Sequence, residues 1–321
     1  MSLNPDIAAF LELVNSGRAA GKNLAMHQLS PEQAREQFDL SSQMMDAGAA
    51  DLDQVDSLEI PTRDGQRLAA RLYSASPLSQ AAPAPALLYF HGGGYVVGSL
   101  DSHDSLCRAL AELAGCAVVS VAYRLAPQWR FPTAAHDAED AWHWLVAQGT
   151  GLGIDTRRLA LAGDSVGGSL VAVLATQLAR EGAAVQPQLQ VLIYPVTDAT
   201  RSTPSLERYA SGYLLETDTL QWFYGLYARD HADRQDPRFS PLLGAVPHDL
   251  APTLMILGEC DPLHDECLAY VAQLREGGAV VDLTVYPGMT HDFLRMGAII
   301  DEAEEAQEQI AQALRGGVSG R

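Results

Sequence analysis

Six short apolar runs recur along the chain: ALLYF (86–90), AVVSVAY (117–123), RLALAG (158–163), LQVLIY (189–194), PTLMILG (252–258) and VDLTVY (281–286). Helical stretches separate them, near residues 103–114, 133–148, 166–180, 264–276 and 300–314. A strand that is apolar on both sides must be covered on both faces, and intervening helices supply that cover. The alternation therefore predicts an α/β fold with a mostly parallel central sheet flanked by helices. Upstream, SLEIPT (57–62) and RLAARLY (67–73) flank Asp64-Gly65. That pair tolerates the positive φ angles of a tight turn, so an antiparallel hairpin leads into the sheet, giving about eight strands. The tract AAPAPA (81–86) reads as a surface loop, and no internal repeat is visible.

Two segments stand outside the alternation. At the N-terminus Asn4 is placed to cap a helix, Pro5 fits its first position, and Ile7, Phe10, Leu11 and Val14 share one face. A second helix is expected from Ser30-Pro31-Glu32. Residues 195–251 contain SLERYASGYLLETDTLQWFYGLYARD, too long and too aromatic for a structureless loop. Both segments are read as cap elements, from about 1–45 and 200–235. They would cover a core of about 50–199 and 236–321, within one domain spanning 1–321.

Composition narrows the partners. With 47% hydrophobic and 19% charged residues the chain reads as globular. Its net charge of −19 argues against nucleic-acid phosphate and acidic membranes as partners. The opening MSLNPDIAAFLELVNSG is interrupted by Asp6 and Glu12, resembling neither a secretion signal nor a membrane span, so a cytoplasmic protein is expected. Cys107, Cys116, Cys260 and Cys267 are expected as reduced thiols. Cys260 and Cys267 flank His264 in CDPLHDEC, but the spacing is not that of a metal knuckle and no second ligand pair accompanies it, so no metal is expected.

The chemistry centres on LALAGDSVGGS (159–169), where a strand-like run gives way to Gly163-Asp164-Ser165-Val166-Gly167. This fits G-x-S-x-G, a sharp turn that lifts a serine oxygen above the sheet at a helix N-terminus. A rival reading is an ordinary strand-to-helix turn. His91-Gly92-Gly93-Gly94 follows directly on ALLYF. Three glycines there are costly in backbone entropy, and suit a loop offering bare N–H donors that, with that of Val166, would hold a tetrahedral oxyanion. A serine needs a base and the base an orienting acid. His291 follows VYPGMT, just past VDLTVY, and Asp261 lies in GECDP, just past PTLMILG. His264 and His143 fall inside helical stretches, and Asp265 is a second choice for the acid. Ser165, Asp261 and His291 thus lie at three strand ends, in the α/β-hydrolase chain order.

With these residues in hand, the chain resembles the hormone-sensitive-lipase-like (bacterial family IV) carboxylesterases of the α/β-hydrolase fold. The resemblance runs from about residue 56 to 296 through HGGGYVVGSLDSHD (91–104), YRLAP (123–127), GDSVGGSL (163–170), DPLHDE (261–266) and GMTHDF (288–293). It implies Ser165 as nucleophile, His291 as base, Asp261 as acid, and the backbones of Gly93, Gly94 and Val166 as oxyanion donors. It further implies that His91 braces its loop and that Asp164 is a structural partner there, with Gly92 in the same motif. No metal or organic cofactor is implied, the substrate class is a small carboxylic ester of short to medium acyl chain, and a homodimer is expected.

Three residues depart from the family pattern: Val166 for a usual alanine, Gln128 for a common glutamate, and Asp292 for a frequent glycine. A carboxylate at 292 facing inward would raise the imidazole pKa, and Asp292→Gly is expected to leave activity largely intact. Tyr95, Tyr194, Tyr209, Tyr213 and Trp222 are candidates for a substrate pocket, and Phe223 and Tyr227 share the same lid. Aromatics at helical spacing more often pack on the domain below. The same machinery could act on amides, thioesters or lactones, and a binding protein on this scaffold is the rival from another class.

Overall fold

The computed structural model describes residues 2–46 and 48–319. A hairpin of β1 (Gln54–Pro61) and β2 (Arg67–Ser74) turns at Asp64-Gly65, with Gly65 at φ +82°. The remaining strands are β3 (Ala84–Phe90), β4 (Ala117–Val121), β5 (Ile154–Asp164), β6 (Gln190–Ile193), β7 (Thr253–Gly258) and β8 (Val281–Tyr286). They form one eight-stranded sheet in the order β1-β2-β4-β3-β5-β6-β7-β8, antiparallel through β2–β4 and parallel from β4 onward. Central β4 and β7 are buried along their whole length, in keeping with their mostly apolar sequences. At the edge, β8 is only half-buried, which is why VDLTVY carries a charge.

The helices on the sheet are α3 (Asp104–Ala114), α4 (Thr133–Gln148), α5 (Val166–Glu181), α8 (His264–Glu276) and α9 (Asp301–Ser319). From β3 to β4 the chain steps one way along the sheet, and from β4 to β5 it steps the other way. Right-handed crossovers then place α3 and α4 on opposite faces. The contacts agree, α3 packing on α9 and α4 on α5. Consequently the loops after neighbouring β3 and β5 open side by side at the carboxyl edge, where α/β sheets gather ligands.

The strand β3 starts earlier than the sequence suggests. Ala84 to Ala86, read as the end of a surface loop, already pair with β5. The register shifts between Ala84 and Ala86, and Pro85, which has no N–H to give, sits in that irregularity.

The N-terminal segment forms α1 (Pro5–Ala19) and α2 (Pro31–Met45). Asn4 Oδ1 accepts from the N–H groups of Asp6 and Ile7, and Ser30 closes a capping box with Gln33. Residues 195–251 carry α6 (Pro204–Arg208) and α7 (Thr217–Tyr227). The two segments meet: Arg18 pairs with Glu216 at 2.8 Å, Asn15 Nδ2 donates to Gly212 O at 3.2 Å, and His27 Nδ1 lies 3.1 Å from Thr219 Oγ1. Among the described residues, no helix is long and apolar enough to cross a membrane.

Candidate active site

Ser165 stands between β5 and α5 at φ +52° and ψ −127°, a positive-φ conformation that a side chain adopts only when the surroundings hold it. Its N–H is anchored to Ile193 O at 2.8 Å. The glycine that follows is required by close approach, since a Cβ on Gly167 would lie 2.0 Å from Phe90 O. This contact lets α5 start hard against β3, so Ser165 and the loop after β3 share one corner.

Three strand-end loops converge on that corner. His291 Nε2 lies 3.0 Å from Ser165 Oγ, and His291 Nδ1 lies 2.7 Å from Asp261 Oδ2. Asp261 is buried and fixed through its other oxygen by the Leu263 N–H at 2.8 Å. With Nδ1–H donated to the carboxylate, Nε2 is left to accept the serine proton. Burial pushes the imidazole pKa down, but the Asp261 carboxylate, helped by Asp292 and Asp164, outweighs it and leaves His291 raised above 6.5. Among the described residues no group accepts from the N–H of Gly93, Gly94 or Val166, whereas Gly93 O accepts from Val96 and Val97. Gly93 and Gly94 sit at φ +117° and +61°, and Val166 turns its branched side chain into the core.

Asp164 organises the glycine loop from beneath. It accepts from Gly92 N at 2.9 Å and Tyr89 Oη at 2.6 Å, and meets His103 Nε2 at 3.2 Å. Burial opposes its ionisation, but His103, Arg295 and Tyr89 hold it well below the usual carboxylate range. His91 is pushed down to about 3, by burial first and by His103 second, so it is neutral at neutral pH. Its Nδ1 lies 2.8 Å from Gly92 O and its ring stacks on Tyr123.

The other candidates are placed as follows. Tyr194, at φ +36°, lays its ring 4.6 Å from that of His291, and its buried hydroxyl has no partner among the described residues. Tyr95 lies behind the glycine loop, stacked on Tyr227 at 3.9 Å within a buried cluster that includes Phe239. Tyr209 and Tyr213 meet edge to face at 4.9 Å, and Tyr209 touches the Cys260 thiol beside Asp261. Trp222 is half-buried, and its neighbour Phe223 lies so close that a Cβ on Gly94 would be 2.2 Å from the ring. Asp265 anchors α6, accepting from Ser205 N at 2.8 Å. His264 Nδ1 lies 3.1 Å from Gly258 O, and the Cys267 thiol donates to Pro195 O, so the CDPLHDEC side chains face separate partners.

Arg295 carries no signal of its own in the sequence. It is buried and donates to Asp292 Oδ1 at 2.9 Å, to Ser42 Oγ at 2.8 Å and to Ser102 O at 3.2 Å. Asp292 itself sits at φ +72°, a conformation that favours glycine. Gln128 Oε1 accepts from Arg35 Nη2 at 2.8 Å, so a hydrogen bond to an uncharged amide stands where a glutamate would give an ion pair.

The Asp292–Arg295 pair changes what Asp292→Gly should do. The substitution relieves the positive φ but leaves a buried guanidinium without its carboxylate, which costs about 3 kcal/mol of stability. It also removes a group that raises His291, so the acid limb of the pH–rate profile moves to lower pH while the plateau rate stays close to wild type. Denaturant unfolding and a pH–rate profile check the two halves, and an unchanged unfolding midpoint contradicts the first.

Comparison with known proteins agrees with this architecture. A family model described as alpha/beta hydrolase fold matches residues 87–295. An ethyl acetate hydrolase of Pseudomonas putida is 57% identical over 315 residues, covering 98% of this chain and 99% of that protein. The carboxylic ester hydrolase LipN of Mycobacterium tuberculosis is 38% identical, covering 83% of this chain and 71% of its own. Among solved structures, a hyperthermophilic esterase from the archaeon Pyrobaculum calidifontis superposes with a TM-score of 0.90 at 36% identity, covering 98% of this chain and 99% of that one. An ester hydrolase from the metagenome of Lake Arreo, complexed with a bipyridine phosphonate derivative, superposes with a TM-score of 0.91 at 32% identity, covering 97% and 98%. The chain belongs to the alpha/beta-hydrolase-fold family, in the company of its carboxylic ester hydrolases.

Proposed function

We propose that this chain hydrolyses carboxylic esters of short to medium acyl chain through an acyl-enzyme on Ser165. The observation that carries the reading is the continuous relay from Ser165 Oγ through His291 to Asp261, at 3.0 and 2.7 Å. Ser165 Oγ attacks the ester carbonyl while its proton passes to His291 Nε2. The carbonyl oxygen becomes an anion in reach of the Gly93, Gly94 and Val166 N–H groups. The carbon–oxygen bond to the alcohol then breaks, and His291 returns the proton to the departing oxygen. Water repeats the sequence on the acyl-enzyme, with His291 again as base, and releases the acid. Asp261 keeps the imidazole in the tautomer that can accept at Nε2 and offsets the charge it acquires. None of these steps calls on a metal or an organic cofactor.

The preference for short acyl groups is supported by Phe223, whose ring covers Gly94, and by the small ester in the name of the Pseudomonas relative. A graded series of p-nitrophenyl esters tests it: kcat/KM is expected to peak at short or medium chains, and a peak at long chains contradicts it. Phe223→Ala should shift that optimum toward longer chains, by roughly 10-fold in relative kcat/KM. An unchanged profile would take Phe223 out of the acyl pocket.

A further inference from the structure

Helix α2 reaches both sides of the relay along a single face. Arg35, Phe38, Asp39 and Ser42 recur at the three- and four-residue spacing that aligns side chains on a helix. Arg35 is half-buried and points its guanidinium at the loop after β3. Its Nε donates to Val96 O at 2.8 Å, and its Nη2 donates to Ala126 O at 2.7 Å and to Gln128 Oε1. Those carbonyls belong to one unit, because Ala126 N donates to Tyr95 O at 2.8 Å and Val96 N closes the turn onto Gly93 O at 3.0 Å. One turn along α2, Asp39 Oδ1 accepts from Ser99 Oγ at 2.9 Å, further down the same loop. A turn beyond that, Ser42 accepts from Arg295, four residues past His291, and the Arg295 guanidinium lies over the Phe38 ring at 4.7 Å.

We propose that this face of α2 holds the oxyanion loop and the histidine loop in register with each other, with Arg35 as the positioning residue on the oxyanion side. The inference rests on the ester-hydrolase reading above and names what holds that site in place. The loop it holds is unusually dependent on outside support. Gly92-Gly93-Gly94 has no side chains to pack, two of its members sit at positive φ, and the N–H groups of Gly93 and Gly94 have no partner among the described residues. Charge-assisted bonds from a guanidinium to main-chain carbonyls fix such a turn without occupying those N–H groups. Arg35 touches no reacting atom, so its effect runs through the geometry of the donors alone.

Arg35→Met is expected to lower kcat roughly 10-fold to 100-fold, the scale of a small displacement of catalytic groups. KM should stay within about twofold, as the ground-state contacts are not removed. The acid limb of the pH–rate profile should not move, since His291 is held by other residues. Arg35→Lys, which keeps the charge but not the fork, is expected to fall between Arg35→Met and wild type and serves in its place if Arg35→Met does not fold. Glu36→Gln, exposed on the same helix, is expected to match wild type. Independently of turnover, hydrogen–deuterium exchange over residues 93–99 should accelerate in Arg35→Met or Arg35→Lys. Wild-type kcat in these variants, or unchanged exchange in that loop, overturns the proposal. Loss of ester hydrolysis is not needed to read the exchange, so a wild-type chain inactive on esters would sink the functional reading and leave the exchange result to decide this one.

Discussion

Ser165→Ala is expected to reduce kcat for ester hydrolysis by a factor on the order of 10⁶, the scale seen when a relay nucleophile is removed. Turnover falls to what bare binding and oxyanion donors supply, because a methyl group offers nothing to attack with. The fold should tolerate the change. Ser165 keeps its turn through a main-chain bond to Ile193 O, and among the described residues its Oγ meets only His291, so alanine strands no other buried partner there. The strained φ remains a small cost for alanine as for serine. Steady-state assays beside a thermal melt check this. A variant that melts like wild type and still hydrolyses esters at more than about a hundredth of its rate would contradict the nucleophile assignment.

Asp261→Asn should cost about 10⁴ in kcat while leaving the geometry nearly intact. The amide can keep the Leu263 N–H bond through its oxygen, but the group then facing His291 Nδ1 becomes an N–H donor. The imidazole is driven to the tautomer with its proton on Nε2, where it can no longer take one from Ser165. Removing the carboxylate also takes away the main influence raising the His291 pKa, so whatever activity survives should show an acid limb at lower pH. Retention of more than about a tenth of wild-type kcat would mean that another group, Asp292 being nearest in sequence, orients the base.

Most of the architecture was readable because it follows from local pattern. Runs such as LLYF and VVSV have no polar face to show to water, and strand ends carry the chemistry in such sheets. That is why Ser165, in its G-x-S-x-G turn, and Asp261 and His291, each just past an apolar strand, stand out as candidates in the sequence. The caps of α1 and α2 were likewise written in Asn4-Pro5 and Ser30-Pro31. What stayed hidden depends on distant partners. Nothing near Arg295 says that its guanidinium reaches Ser42, and nothing near Arg35 says that it grips Val96 O and Ala126 O. A glycine-favouring conformation at Asp292 is invisible when the residue is not glycine. Pro85 argued for a loop, and only the register shift opposite β5 explains how a strand accommodates it. The aromatics of residues 195–251 are not apportioned by their spacing either. Helical periodicity gives them one face, while the structure sends Tyr227 to Tyr95 and Phe239, and Phe223 to Gly94.

The most direct measurement is a crystal structure after inactivation with a p-nitrophenyl alkylphosphonate, whose tetrahedral phosphorus mimics the ester intermediate. The account predicts a covalent bond to Ser165 Oγ, with the phosphonyl oxygen within hydrogen-bonding distance of the Gly93, Gly94 and Val166 nitrogens and His291 Nε2 facing the leaving-group side. A phosphonate attached to any other side chain, or one on Ser165 whose oxygen turns away from those three nitrogens, would contradict it.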